Sequence, residues 1–308
     1  MPLLTRKRIL AIKTESTYNT DPTPAGANAI LVSDLEITPI NAQTISRNLV
    51  RPFLGASAEI VATKNVQIRC TVEVAGSGAA GTAPQYGPLL KACGMSETVS
   101  NGVSVTYAPV SSSFSSVTIY YNIDGVLHKA TGCRGTVSFN FEVNQFPTMQ
   151  FEFTGQYAAV SDTAALTPTY TSVVPLPVST TNTSGFSFYG YSGCLQSVSL
   201  DVANQIVDQE LVGCKTILLT DRKPAGQVVL EAPTIAQRDF FAASLGTSTG
   251  ALALTHGTTA GNIVALSVPY ADVQSPTYQD VNGVHFLQLP YTAIPSGAGN
   301  DEFSLTVT

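Results

Sequence analysis

The chain has 308 residues, of which 44% are hydrophobic and only 12% charged, with a formal net charge of -6 and a pI near 5.0. So low a charged share leaves Ser, Thr, Gly, Asn and Gln to cover the surface, a covering that other subunits can bury at low desolvation cost. The acidic balance argues against a domain that grips phosphates, which needs clustered Lys and Arg, and no apolar run reaches the roughly 18 residues of a membrane-spanning helix.

In chain order, MPLLTRKRILAIKTE opens an N-terminal arm (1–26) whose basic cluster, Arg6, Lys7 and Arg8, has no long apolar stretch behind it and is not a signal peptide. A first unit (27–161) begins with LEITPINAQTISRNLVRPFLG and QIRCTVEVAG. A helix is predicted over APQYGPLLKACG (83–94), followed by GVSVTYAP, SVTIYYNIDG, GTVSFNFEV and MQFEFTG, whose period-two patterning predicts strands. Residues 162–186, rich in Pro, Ser and Thr, form a linker. The second unit (187–308) repeats the order: VSLDVANQIVDQELVGCKTIL, GQVVLEAP, a helix predicted over TIAQRDFFAASLG (234–246), then GALALTHG, NIVALSVP, GVHFLQLPY and EFSLTVT. Self-similarity at a period of about 150 residues predicts two copies of one mainly β fold, a sandwich or barrel with one flanking helix.

Two motifs invite enzymatic readings. Gly76-Ser77-Gly78-Ala79-Ala80-Gly81 matches the G-x-G-x-x-G dinucleotide fingerprint, with Glu97 placed for a ribose. Its counterpart in the second unit is the shorter VVLEAPTIAQRDFFAA, and Thr82, Ala83 and Pro84 separate its last glycine from the helix, so it is a lengthened connector and no cofactor is expected. Gly246-Thr247-Ser248-Thr249-Gly250, with His256 behind it, matches a hydrolase nucleophile elbow but runs from helix to strand, the reverse of the required order. His128, His256 and His285 have no carboxylate or cysteine at metal-ligand spacing, and Asp280 and Glu302 lack a partner that would make an acid and base pair. The odd set Cys70, Cys93, Cys133, Cys194 and Cys214 contains no C-x-x-C and predicts buried, reduced thiols. No catalytic, cofactor or metal site is expected.

The stretches RILAIKTESTYNTDPTPAGANAILVSDLEITPI, QYGPLLKACGMSETVSNGVSVTYAPVSSSFSSVTIYYNIDGVLHKATGCRGTVSFNFE, NQIVDQELVGCKTILLTDRKPAGQVVLEAP and LTHGTTAGNIVALSVP resemble the tail tube (major tail) proteins of long-tailed, non-contractile bacteriophages over nearly the whole chain. The resemblance implies a structural virion protein, made in the bacterial host cytoplasm, whose stacked rings form the hollow tail through which double-stranded DNA passes. It also implies tail terminator and tail tip partners, and a long hairpin from each copy joining a ring-spanning lumenal β-barrel. Six tube folds per ring would need three two-copy chains, a homotrimer with pseudo-sixfold symmetry; the alternative is a homohexamer. A lining that lets a duplex slide is acidic or neutral, which makes Asp34, Glu36, Gln43, Asp201, Asp208 and Glu210 the lumen-lining candidates. Arg6, Lys7 and Arg8 are candidates for contact with the next ring. The competing functional class is a receptor-binding or adhesive β-sandwich module, which would expose aromatics in a concave site; Trp is absent.

Overall fold

The computed structural model describes residues 2–171 and 173–308; residue 1 of the arm and residue 172 of the linker lie outside them. The N-terminal half contains β1 (Arg8–Thr14), β2 (Ala29–Ile30), β3 (Ser33–Ser46), β4 (Glu59–Glu73), helix α1 (Gly87–Ala92), β5 (Met95–Ser100), β6 (Ser104–Pro109), β7 (Val117–Ile123), β8 (Val126–Glu142), β9 (Thr148–Tyr157) and β10 (Ser161–Asp162). The C-terminal half contains β11 (Thr183–Phe188), β12 (Leu195–Asp201), β13 (Asn204–Leu211), β14 (Cys214–Arg222), β15 (Ala225–Glu231), helix α2 (Phe240–Leu245), β16 (Gly250–His256), β17 (Val264–Val273), β18 (Thr277–Val281), β19 (Val284–Ala293) and β20 (Ser304–Val307). The fold is mainly β and antiparallel, and its strands do not close into a barrel.

One layer runs through both halves in the order β3-β4-β9-β8-β12-β15-β19-β18. Alternation in the sequence makes it two-faced: β9 sends Met149, Phe151 and Phe153 to the core, each at most 2% exposed, and Thr148, Gln150 and Glu152 to the opposite face. A second layer covers the apolar face. It consists of β2-β1-β7 on the first part of β8, and of β11-β16-β17-β20-β6-β5. β8 serves both layers, pairing with β7 over residues 126–133 and with β12 over 138–142, so its seventeen residues bend across the sandwich. Tyr107, Phe139, Phe141, Phe151, Phe188, Tyr291 and Phe303 fill the space between the layers.

Both helices are shorter than the sequence predicts. α1 starts only at Gly87, with Pro88 in its first turn, and stops at Cys93 before Gly94, whose φ of 78° ends the helix. α2 begins after Asp239, whose carboxylate accepts from Ala242 N, while residues 234–237 form a separate turn closed by Gln237 N donating to Thr234 O at 3.0 Å. The stretch separated as an arm supplies β1, which pairs along its whole length with β7. The end of the linker likewise supplies β11, which pairs with β16.

Several strand pairings of one half have a like pairing in the other. Val74 N donates to Pro147 O (2.8 Å) where β4 leaves β9, and Ala232 N to His285 O (3.0 Å) where β15 leaves β19. From these anchors Met149, Phe151 and Phe153 correspond to Leu287, Leu289 and Tyr291, all buried. The long hairpin β3–β4 corresponds to β12–β15 continued by β13–β14, and each returning strand has one skipped residue, Ala62 or Thr220, at the corresponding step. Among the described residues, only the N-terminal half has the β5–β6 hairpin, and only its long hairpin ends in a twelve-residue loop, 47–58; the other turns at Val212 and Gly213.

Candidate assembly surfaces

The uncovered face of the eight-stranded layer is polar. Register places Glu36, Arg69, Glu152 and Thr136 in one row, Glu73, Thr148, Asn140, Ser199 and Gln227 in another, and Glu142, Ser197 and Val229 in a third. Glu36, Glu73, Glu142, Glu152, Asp201 and Glu231 lie on this face with Arg69, which is bound to Glu152 at 3.1 Å, and Arg134 stands farther along β8 on the same side. That pair is solvated and contributes little to stability; the face as a whole is acidic.

Both edges of the layer are open. Among the described residues, β3 pairs only with β4, and β18 only with β19. Between the halves β8 and β12 form an antiparallel seam, Ser138↔Asp201 through Glu142↔Ser197, extended by Val202 N→Val137 O and Val143 N→Gln196 O, both 3.0 Å. Phe139 in this seam is 1% exposed, whereas its counterpart on β18, Tyr278, is 61% exposed. Arg8 Nη1 donates to Leu35 O (3.0 Å) at the β3 edge, which partly satisfies that border.

The sequence-predicted candidates are dispersed over these surfaces. Glu36 and Asp201 stand on the acidic face, and Gln43, opposite Thr63, is exposed farther along β3. Asp34 occupies the irregular step between Ser33 and Glu36 with φ 47°. Asp208 and Glu210 are held within their own hairpin by Lys215 at 3.8 and 2.7 Å, and Asn65 Nδ2 donates to Asp208 at 2.9 Å. Lys7 pairs with Asp124 at 3.3 Å, Arg8 turns to Leu35, and Arg6 is exposed, so the basic cluster presents no single patch.

A group missed in the sequence fastens β13–β14 to the N-terminal half. Buried Glu15 accepts from Asn19 N, Ser116 Oγ, Thr118 Oγ1 and Gly132 N at 2.6–2.7 Å, which fixes the loop carrying Tyr18. Tyr18 lies under Arg134, 5.1 Å from its ring centre, and its hydroxyl accepts from Ile217 N at 2.7 Å while Arg134 Nη1 donates to Ile217 O at 2.8 Å. Arg222 and Glu302, nearly buried, pair at 2.8 Å and tie the base of the hairpin to the C-terminus. These partners are far apart in sequence, so no local pattern announces them.

The two enzyme-like motifs are loops. Gly76 N donates to Asn262 Oδ1 and Gly78 N to Gly261 O, packing the glycine-rich connector on the C-terminal half. Ser248 lies between α2 and β16, its carbonyl accepting from Tyr189 OH. His256 is buried and neutral-favouring, its pKa lowered by burial, and bonds Thr183 Oγ1 (2.9 Å) and Leu176 O (3.0 Å) of the linker. Asp280 caps its own turn by accepting from Gly283 N. No cluster of metal-ligating side chains occurs among the described residues. All five cysteines are free; Cys70, Cys93 and Cys133 are buried, with the Cys70 thiol pushed up to about 12 by burial. Cys194 and Cys214 are exposed, a correction to the uniformly buried thiols expected; Cys194 immediately precedes β12 and Cys214 begins β14, strand ends where alternation gives no burial signal.

No helix among the described residues is long and apolar enough to cross a membrane. A search of the curated proteins returns no match. The family model described as phage tail tube protein matches residues 5–308, and with that span the chain belongs to the phage tail tube family, structural components of the virion tail.

Proposed function

We propose that the chain is a two-copy tube protein whose rings, three chains each, stack into the tail conduit for double-stranded DNA. The observation carrying this reading is the eight-stranded layer with two open edges and an internal seam. If the halves are copies, the seam β8–β12 is the template for a seam between chains, β18 on β3 of a neighbour. Corresponding registers then set Tyr278 opposite Ile37, Gln279 opposite Glu36 and Thr277 opposite Thr38.

Three chains so joined contribute twenty-four strands. At a spacing of about 4.8 Å and a tilt near 40°, such a sheet closes a cylinder roughly 45–50 Å across between backbones, room for side chains and a duplex. The acidic face would line it, repelling phosphates so that DNA slides. Closure also removes two edges that would otherwise recruit strands indiscriminately. Rings stacked head to tail then extend without limit until terminator and tip proteins cap them. Assembly would follow synthesis in the host cytoplasm.

The test is covalent. In a Cys194→Ser, Cys214→Ser background, Glu36→Cys with Gln279→Cys would face each other across the seam at disulfide reach. Oxidised rings should run as trimers on a denaturing gel, with an axial hole by negative-stain microscopy. A monodisperse monomer with no cross-link, or a six-chain ladder, would overturn the three-chain ring.

A further inference from the structure

The two long hairpins differ in what covers them. β13–β14 lies against the N-terminal half: Ile217 is 0% exposed, Asn204 Nδ2 donates to Cys93 O and Gly135 O at 2.7 and 3.0 Å, and Leu219 packs over Gly94, where an added Cβ would sit 2.9 Å from its Cδ1. The distal part of β3–β4 stands free. Ile40, Ile45, Ile60 and Val61 are 53–62% exposed, and among the described residues 43–62 make no hydrogen bond outside their own hairpin. A two-stranded ribbon is marginal in water without something to pack on, and exposed aliphatic side chains along it mark a contact surface.

Register identifies the missing support. With Ala62 and Thr220 as the corresponding skipped residues, Val61 occupies the place of Leu219, Ile60 that of Leu218 and Glu59 that of Ile217. The surface that β13–β14 covers on the N-terminal half includes the end of α1 and Gln156 at the end of β9, whose Nε2 donates to Lys215 O at 2.9 Å. The corresponding surface of the C-terminal half is bare: Leu245 ends α2 at 89% exposure, a glycine, Gly246, caps it directly where Gly94 stands one residue farther past α1, and Ile294 stands where Gln156 does. Among the described residues no further hairpin of this kind lies over it.

We infer that the distal half of β3–β4 lies across the C-terminal half of a neighbouring copy of this chain, with Val61 against the Leu245–Gly246 end of α2. The occupant is a second copy because the covered surface in one half and the bare surface in the other are the same surface repeated, and the free hairpin is the counterpart of the docked one. This contact rests on the ring reading and adds to it an arm that reaches beyond the paired edges. Each chain then grips its neighbour twice, by the β18–β3 ladder and by the hairpin laid over the sandwich. Glu59 takes the place of Ile217 and accepts from Thr44 Oγ1 at 2.6 Å, so its carboxylate has to stay at the solvated margin of the contact.

The experiment mixes two single variants in the Cys194→Ser, Cys214→Ser background: Val61→Cys in one preparation and Gly246→Cys in the other. Gly246 has φ -89°, which any residue adopts. Co-assembled and oxidised, the mixture should yield a disulfide dimer that neither preparation gives alone, and Leu245→Glu should reduce ring yield at least tenfold with the monomer's thermal unfolding unchanged. If Glu36→Cys with Gln279→Cys cross-links while Val61→Cys with Gly246→Cys does not, the docking is overturned and the ring stands. If neither pair cross-links and no rings form, the ring reading itself has failed.

Discussion

Replacing Tyr278 by serine should separate assembly from folding. In the single chain this side chain is 61% exposed, its ring 5.6 and 5.7 Å from those of Phe241 and His285, whereas Phe139 at the corresponding place of the internal seam is 1% exposed. Covering what remains exposed of a tyrosine removes roughly 120 Å² from water, about 3 kcal/mol at 25 cal/mol per Å². Losing most of that weakens each chain-to-chain seam about 100-fold. Sedimentation velocity over a concentration series should show rings of Tyr278→Ser appearing only at much higher protein concentration. Thermal unfolding of the monomer should change by less than about 1 kcal/mol, because little of the side chain is buried there. An unchanged assembled fraction at every concentration would refute the burial of Tyr278 between chains.

Other outcomes follow from buried polar groups. Glu15→Ala leaves four donors without their acceptor and should cost about 3 kcal/mol or more, with faster amide exchange at Ile217 once Tyr18 is released. Arg222→Met strands the Glu302 carboxylate, 9% exposed, and should cost about 3–5 kcal/mol by denaturant unfolding; adding Glu302→Leu should restore much of it. Burial lowers the His256 pKa, so its neutral form is the one the fold favours: its contribution is complete above about pH 6.5 and is lost as pH falls below that value. Melting temperature should therefore fall between pH 7 and pH 5 more steeply in the wild type than in His256→Gln. Ellman titration of the native protein should count the exposed Cys194 and Cys214, leaving Cys70, Cys93 and Cys133 for the unfolded state.

Much of the layer was legible in the sequence because its strands alternate without interruption. TMQFEFTG fixes its own inner and outer faces, and VEVAG and VLEAP each end a strand, where Val74 N and Ala232 N donate to Pro147 O and His285 O. The same alternation puts Glu36 and Asp201 on the acidic face. Asp208 and Glu210 were harder, because their orientation depends on Lys215 reaching back across a turn at Val212 and Gly213 and on Asn65 of a distant strand. Helix lengths were overstated because apolar spacing continued past the points where Pro88 and the Thr234–Gln237 turn set the backbone. Within the stretch read as an arm, Leu10, Ala11 and Ile12 are buried in succession, so β1 has both faces covered and no alternation to mark it. Long-range fasteners such as Glu15 and the Arg222–Glu302 pair have no periodicity to betray them.

Electron cryomicroscopy of polymerised protein, at a resolution that traces strands, tests the proposed tube most directly. Three chains per ring are predicted, with residues 277–281 of each chain antiparallel to residues 33–38 of the next and Gln279 opposite Glu36 on the channel side. Six chains per ring, or a tube in which β18 and β3 stay unpaired, would contradict it.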